Sequence, residues 1–173
     1  HDVLIVNAAG NDGNNIDVVR TYPNDSKDLL TEVSDNVLTI GAMSADYNKN
    51  LPASFSNYGK INVDIFAPGV QVYSSTPENE YKHYNGTSMA APSTAGVAAL
   101  IRSYYPKLSA SQVKHIIMNS GTKIDLQVTK PGSVSRETPE GVLVSFADLS
   151  VSGRVVNAYN ALKMAERIVK RKK

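Results

Sequence analysis

The chain has no cysteine, which excludes disulfides and thiolate metal sites while leaving the compartment open. No stretch approaches the roughly 20 apolar residues that a bilayer span needs. Charge of one sign is not in excess: 18 Lys and Arg stand against 16 Asp and Glu, a formal net charge of +2. That balance points to neither nucleic acid nor an anionic surface as a partner, and the short basic run Lys170-Arg171-Lys172-Lys173 suits the negative end of a helix. Histidine is scarce, with only His1, His83 and His115. The dinucleotide fingerprint is missing, because Gly10 and Gly13 do not make its three-glycine pattern and no helical pattern comes after them. There is no internal repeat, no signal peptide and no initiator methionine. The chain opens His1-Asp2-Val3-Leu4-Ile5-Val6, inside a strand pattern, and reads as cut from something longer. The remaining composition is ordinary: 173 residues, 42% hydrophobic and 20% charged, amount to one globular domain with a sizeable core.

Val3-Leu4-Ile5-Val6 and Val37-Leu38-Thr39-Ile40-Gly41-Ala42 are short apolar runs, the pattern of parallel strands buried on both faces. The first leads into Asn7-Ala8-Ala9-Gly10-Asn11-Asp12-Gly13, a small-residue loop at a strand's carboxyl end, where open α/β sheets place their sites. Residues 14 to 35 read as surface loop, with a turn at Tyr22-Pro23-Asn24 and a short helical turn expected around Ser26 to Leu30. Val63 to Ala67, Val70 to Ser74 and Tyr81 to Tyr84 read as further strands. Ser109-Ala110-Ser111-Gln112 matches a capping box that opens an amphipathic helix, with Gly121 as its C-cap. Residues 122 to 150 read as an insertion containing a β-hairpin. A last amphipathic helix begins after Asn157, its expected cap. The fold class is therefore α/β, a mostly parallel sheet flanked by helices.

One stretch organises the rest: Asn85-Gly86-Thr87-Ser88-Met89-Ala90-Ala91-Pro92, then Ser93-Thr94-Ala95-Gly96-Val97-Ala98-Ala99-Leu100-Ile101. Asn85-Gly86 is a turn dipeptide, and Thr87 and Ser88 are residues that cap helix starts. The run from Met89 to Ile101 is nearly all small and apolar on every side, so a helix buried all round is expected. A hydroxyl at such a helix start sits where the dipole favours the anion formed in acyl transfer. Plain capping explains the same residues taken singly. An acyl-transfer serine also needs a donor for the developing oxyanion, and Asn11, just beyond the first strand, is the candidate.

Taken whole, Gly86-Thr87-Ser88-Met89-Ala90-Ala91-Pro92 resembles the nucleophile motif of the subtilisin-like serine proteases. Ala8-Ala9-Gly10-Asn11 resembles their oxyanion-hole segment. Phe55-Ser56-Asn57-Tyr58-Gly59, Ile65-Phe66-Ala67-Pro68-Gly69 and Gly153 to Ala158 line up with further family segments in order. The resemblance implies that Ser88 is the nucleophile, that Asn11 and the Ser88 N–H form the oxyanion hole, and that Ala8, Ala9 and Gly10 line one wall of a substrate pocket. It implies peptide or protein substrates and a secreted or cell-envelope protein. No cofactor is required, and calcium is allowed by resemblance only. Ser93 departs from the family, which commonly has histidine there.

The family's chain order is Asp, His, Ser, so the general base and its carboxylate are expected upstream of Asn11. His1, His83 and His115 do not fall on the base position. The chain is thus read as the C-terminal part (1–173) of a subtilisin-like catalytic domain, with the N-terminal part of the fold absent and the isolated chain inactive. Missing strands would leave open edges, so self-association is expected. Two rivals remain: a non-catalytic module with the same fold, and a phosphate site at the helix start. The second lacks the P-loop lysine and second glycine.

Overall fold

The computed structural model describes residues 2–171; His1, set aside above as a base, and Lys172 and Lys173 lie outside the described residues. Five strands form the main sheet in the order β1-β2-β3-β9-β6. Strands β1 (Ile5–Ala8), β2 (Val37–Met43), β3 (Ile65–Pro68) and β9 (Arg154–Val155) run parallel, and β6 (Thr122–Lys123) pairs antiparallel with β9. Two hairpins stand apart from it: β4 (Val72–Thr76) with β5 (Glu80–Tyr84), and β7 (Gln127–Thr129) with β8 (Leu143–Ser145). Helices α1 (Thr87–Tyr104), α2 (Ala110–Ser120) and α3 (Ala158–Lys170) complete the fold. None of the helices described is long and apolar enough to cross a membrane.

The period-two geometry of a strand divides the core in two. Leu38, Ile40 and Ala42 of β2 and Ile65 and Ala67 of β3 pack with α1, α2 and α3. Phe66 faces the other way, into a cluster with Ala9, Ile16, Leu51, Val63, Phe146 and Leu149. Ser109 caps α2 with both halves of the capping box formed, and the Asn157 side chain caps α3. Gly121 ends α2 without a left-handed turn. It is needed for close approach, since a Cβ there would lie 2.7 Å from the Val155 carbonyl oxygen.

Four expectations need correction. Strand β1 begins two residues later than Val3 and is an edge of the sheet rather than a strand buried on both faces; Ile5 is 52% exposed. No helical turn forms at Ser26–Leu30. The Asp28 carboxylate accepts the Leu30 and Thr31 N–H groups at 3.0 and 2.8 Å, and Leu29 takes a positive φ of 65°. A side chain that competes for backbone donors in this way replaces the helix. Helix α1 is not buried all round: Thr87, Ala90, Ala91, Thr94, Ala98 and Ile101 face the core, while Pro92, Ser93, Gly96, Ala99 and Leu100 are exposed. Finally, Thr122 and Lys123 belong to the main sheet, so the separate hairpin of the 122–150 segment is confined to β7, β8 and their connection.

Candidate active site

The carboxyl ends of β1, β2 and β3 lie along one edge of the sheet, and α1 starts there. Gly69, just past β3, donates its N–H to Met43, and Gly86 donates to the Gly69 carbonyl at 2.8 Å after the β4–β5 hairpin. A Cβ on Gly69 would fall 2.6 Å from the Ala42 Cβ and 2.8 Å from the Gly86 carbonyl oxygen. The chain therefore re-enters the sheet edge through two glycines in contact, and this delivers the α1 N-terminus beside the loop after β1.

Thr87 and Ser88 do not cap the helix. Gly86 is the N-cap, at φ 153°, with no side-chain cap of its own. The cap comes from another segment. Asn11 Oδ1 accepts the Thr87 N–H at 2.9 Å and the Thr87 hydroxyl at 3.0 Å. Thr87 Oγ1 in turn accepts the Gly10 N–H at 3.2 Å. A loop 76 residues away in sequence thus satisfies one of the orphan donors of the helix start. Because its oxygen is engaged, the Asn11 amide has a fixed orientation.

The consequence is chemical. Among the described residues, neither Asn11 Nδ2 nor the Ser88 N–H has an acceptor. Both flank one small space, for a Cβ built on Gly86 would lie 3.6 Å from each nitrogen. Ser88 and Asn11 are exposed. Two unengaged N–H donors converge beside an accessible hydroxyl at the positive end of an 18-residue helix.

The three small residues of the loop are placed differently. Ala8 ends β1 and Ala9 is 3% exposed. Ala9 borders a cavity of about 260 Å³ under the 21–37 connection, which neither Asn11 nor Ser88 borders. Gly10, at φ 103°, lies against Asn57, where a Cβ would be 2.4 Å from Asn57 Nδ2.

Neither described histidine hydrogen-bonds Ser88. His83 Nδ1 lies 2.9 Å from the Gln71 carbonyl, and its ring packs on Tyr73 at 4.9 Å. His115, on α2, places Nε2 2.9 Å from Asp35 Oδ1. Ser111 also donates to Asp35, and that hydroxyl, with His115, holds the Asp35 carboxyl below its ordinary value. Ser111 and His115 both bond the Asp35 carboxylate, and the Ser111 hydroxyl donates to that carboxylate and not to the imidazole, so this trio is not arranged to pass a serine proton to histidine. Among the described residues no three His, Cys, Asp or Glu side chains gather into a metal-holding group.

The subtilase family pattern matches residues 1–141. The chain belongs to the subtilase family. It is 43% identical over 127 residues to subtilisin DY of Bacillus licheniformis, covering 70% of this chain and 40% of that one. It is 38% identical over 123 residues to alkaline elastase YaB of a Bacillus strain, covering 70% and 28%. Among solved structures, the A-subunit of the AB5 toxin from E. coli superposes with a TM-score of 0.69 at 26% identity, over 94% of this chain and 50% of that one. The prenylagaramide maturation protease PagA gives 0.67 at 25% identity, over the same shares. The chain therefore spans 40% or less of these curated relatives and half of these solved chains.

Three features of the subtilase chain escaped sequence reasoning. The Thr87 bridge and the Asn57 contacts need residues far apart in the chain to meet, and no local pattern announces them. The third is a buried cation: Lys114, 1% exposed, pairs with Glu32 and lies 3.8 Å from Asp64 Oδ1. Burial pushes the Asp64 carboxyl up from 3.8 to about 6, against the pull of Lys114 and of the Thr39 N–H it accepts at 2.6 Å. In the sequence Lys114 is only one polar residue of an amphipathic helix.

Proposed function

We propose that this chain is the nucleophile-bearing part of a serine endopeptidase. The observation that carries the reading is the pair of unengaged donors, Asn11 Nδ2 and Ser88 N–H, beside the Ser88 hydroxyl. Ser88 Oγ adds to the carbonyl carbon of a peptide bond, and the oxyanion forms between those donors. The serine proton passes to a general base and then to the leaving amine as the C–N bond breaks; water hydrolyses the acyl-enzyme. The base and its orienting carboxylate are assigned to sequence upstream of Asn11, because His83 and His115 are engaged elsewhere. Ala8, Ala9 and Gly10 are assigned to a substrate-pocket wall completed from outside this chain. The exposed face of α1 and the open edge of β1 are the surfaces on which the remaining part of the domain packs. Peptides or proteins are the substrates, and the cell exterior or envelope is the place of action.

Labelling with a fluorophosphonate tests this, on the full-length protein and on residues 1–173 alone, each with a Ser88→Ala control. Labelling of the full-length protein only, abolished by the alanine, is the expected result. A folded full-length protein that resists labelling would move the assignment to a non-catalytic module of the same fold.

A further inference from the structure

One buried side chain that no part of the reaction explains grips the backbone on both sides of Asn11. Asn57 is fully buried. Its Oδ1 accepts the Asp12 N–H at 3.1 Å and the Asn14 N–H at 2.9 Å. Its Nδ2 donates to the Ala9 carbonyl at 2.9 Å, and its own N–H donates to the Gly10 carbonyl at 2.9 Å. These contacts grip the backbone before and after Asn11 and leave the Asn11 side chain to Thr87.

We propose that Asn57 is a positioning residue for the oxyanion hole, clamping the Ala9–Asn14 backbone so that Asn11 Nδ2 faces the same space as the Ser88 N–H. The inference rests on the oxyanion role proposed for Asn11. The chemistry of the clamp is specific to an amide. Only a side chain with an acceptor and a donor on one carbon can take the Asp12 and Asn14 N–H groups and still donate to Ala9. Aspartate keeps the acceptor but loses the donor and puts a second charge beside Asp12, whose Oδ2 lies 3.4 Å from Asn57 Nδ2. Serine is too short to span both sides of the loop. The backbone has adapted to the clamp as well, since at Gly10 any Cβ would meet Asn57 Nδ2 at 2.4 Å. Asn57 itself is anchored independently of the loop: the preceding Ser56 hydroxyl donates to the Asn57 carbonyl at 2.9 Å and accepts the Ala42 N–H of β2 at 2.9 Å. The oxyanion loop is thereby tied to β2, an interior strand of the sheet.

A double-mutant cycle in the full-length protein tests this, with kcat and KM measured for Asn57→Ser, Asn57→Asp, Asn11→Ala and each Asn57 variant combined with Asn11→Ala. Displacing a reacting group by about 1 Å costs up to roughly a hundredfold in rate. Each Asn57 variant is therefore expected to lose about tenfold to a hundredfold in kcat with KM nearly unchanged. Against Asn11→Ala the same substitutions should cost less than about threefold, because the group they position is gone. Affinity for a peptide aldehyde, whose serine adduct carries the oxyanion, should fall with kcat, while affinity for a product peptide holds. Equal losses in both backgrounds, or none, overturn the positioning role and leave the oxyanion reading standing. If Asn11→Ala itself leaves kcat unchanged, the oxyanion reading fails and takes the inference with it. Hydrogen exchange of the unsubstituted protein covers the case of variants that do not fold. Slow exchange of the Asp12 and Asn14 amides is expected, and exchange at the rate of an unstructured peptide overturns the clamp.

Discussion

At the scale of single residues, the site depends on which polar atoms are already engaged. Thr87 joins the two halves, donating its hydroxyl to Asn11 and accepting from Gly10. Thr87→Val keeps the shape, strands the Gly10 N–H and removes one of the two donors that orient Asn11. A loss of roughly 1–3 kcal/mol in stability is expected from the unsatisfied donor, together with a lower kcat in the full-length protein; unchanged melting and turnover there would refute the bridge. Asp64 makes a pH-dependent contribution of definite sign. Its folded pKa of about 6 lies above the ordinary 3.8, so the folded state holds the proton more tightly. Stability from this group is full below about pH 4 and is lost as pH rises through 6. Denaturant unfolding of Asp64→Asn across pH 4 to 7 should show a flatter profile than the unsubstituted protein. Lys114→Met leaves the Asp64 carboxylate buried without its cation, costing roughly 3 kcal/mol near neutral pH. The cost shrinks below pH 6, where Asp64 takes up a proton; equal losses at pH 5 and pH 8 would exclude this coupling.

At the scale of elements, α1 carries Ser88 and the connection after β1 carries Asn11. The connection from β1 to β2 contains no helix, although parallel strands are usually joined by one. Its backbone donors are taken instead by Asp25, Asp28 and Asn57, while Asp17 within it accepts from the Ile61 N–H of the next connection. The β7–β8 connection also reaches the loop that carries Asn11. Gly132 donates to the Ser54 carbonyl at 3.0 Å, and a Cβ there would meet the Gly13 carbonyl oxygen at 2.3 Å. Gly132→Ala must therefore push the two loops apart, at φ 69° where a side chain is already strained. Lower melting temperature and faster hydrogen exchange at Gly13 are expected, whereas Ser109→Ala should cost about 1 kcal/mol through loss of the α2 cap without touching exchange in that loop.

At the scale of the whole molecule, the described surface is unequally covered. One face of α1 carries Gly96, where a Cβ would meet nothing within 4 Å, and Leu100, 38% exposed. β1, which packs on α1, is an edge strand among the described residues, and Ile5 and the preceding Val3 are more than half exposed. Apolar surface next to an open strand edge promotes association. Residues 1–173 alone are expected to self-associate in sedimentation velocity, and Ile5→Lys with Leu100→Lys to reduce it. A clean monomer before substitution would count against the exposed face as a packing surface.

Local chemistry written in the sequence determined the elements whose cause is local: the β2 run, the Ser109 capping box, the Asn157 cap and the turn before Ser88. The same local string, with Ala8 to Asn11, carried the family resemblance and named Ser88 and Asn11 as candidates. Tertiary structure decided what depends on partners distant in the chain. It made Asn11 the cap of α1, turned Asp28 from a helix residue into a turn former, and exposed a helix whose composition reads as buried. It also brought Lys114 to Asp64 and Asn57 to both sides of the loop that carries Asn11. The reason is physical: periodicity and capping act over a few residues, but a buried donor takes whatever acceptor the packed chain brings within about 3 Å of it.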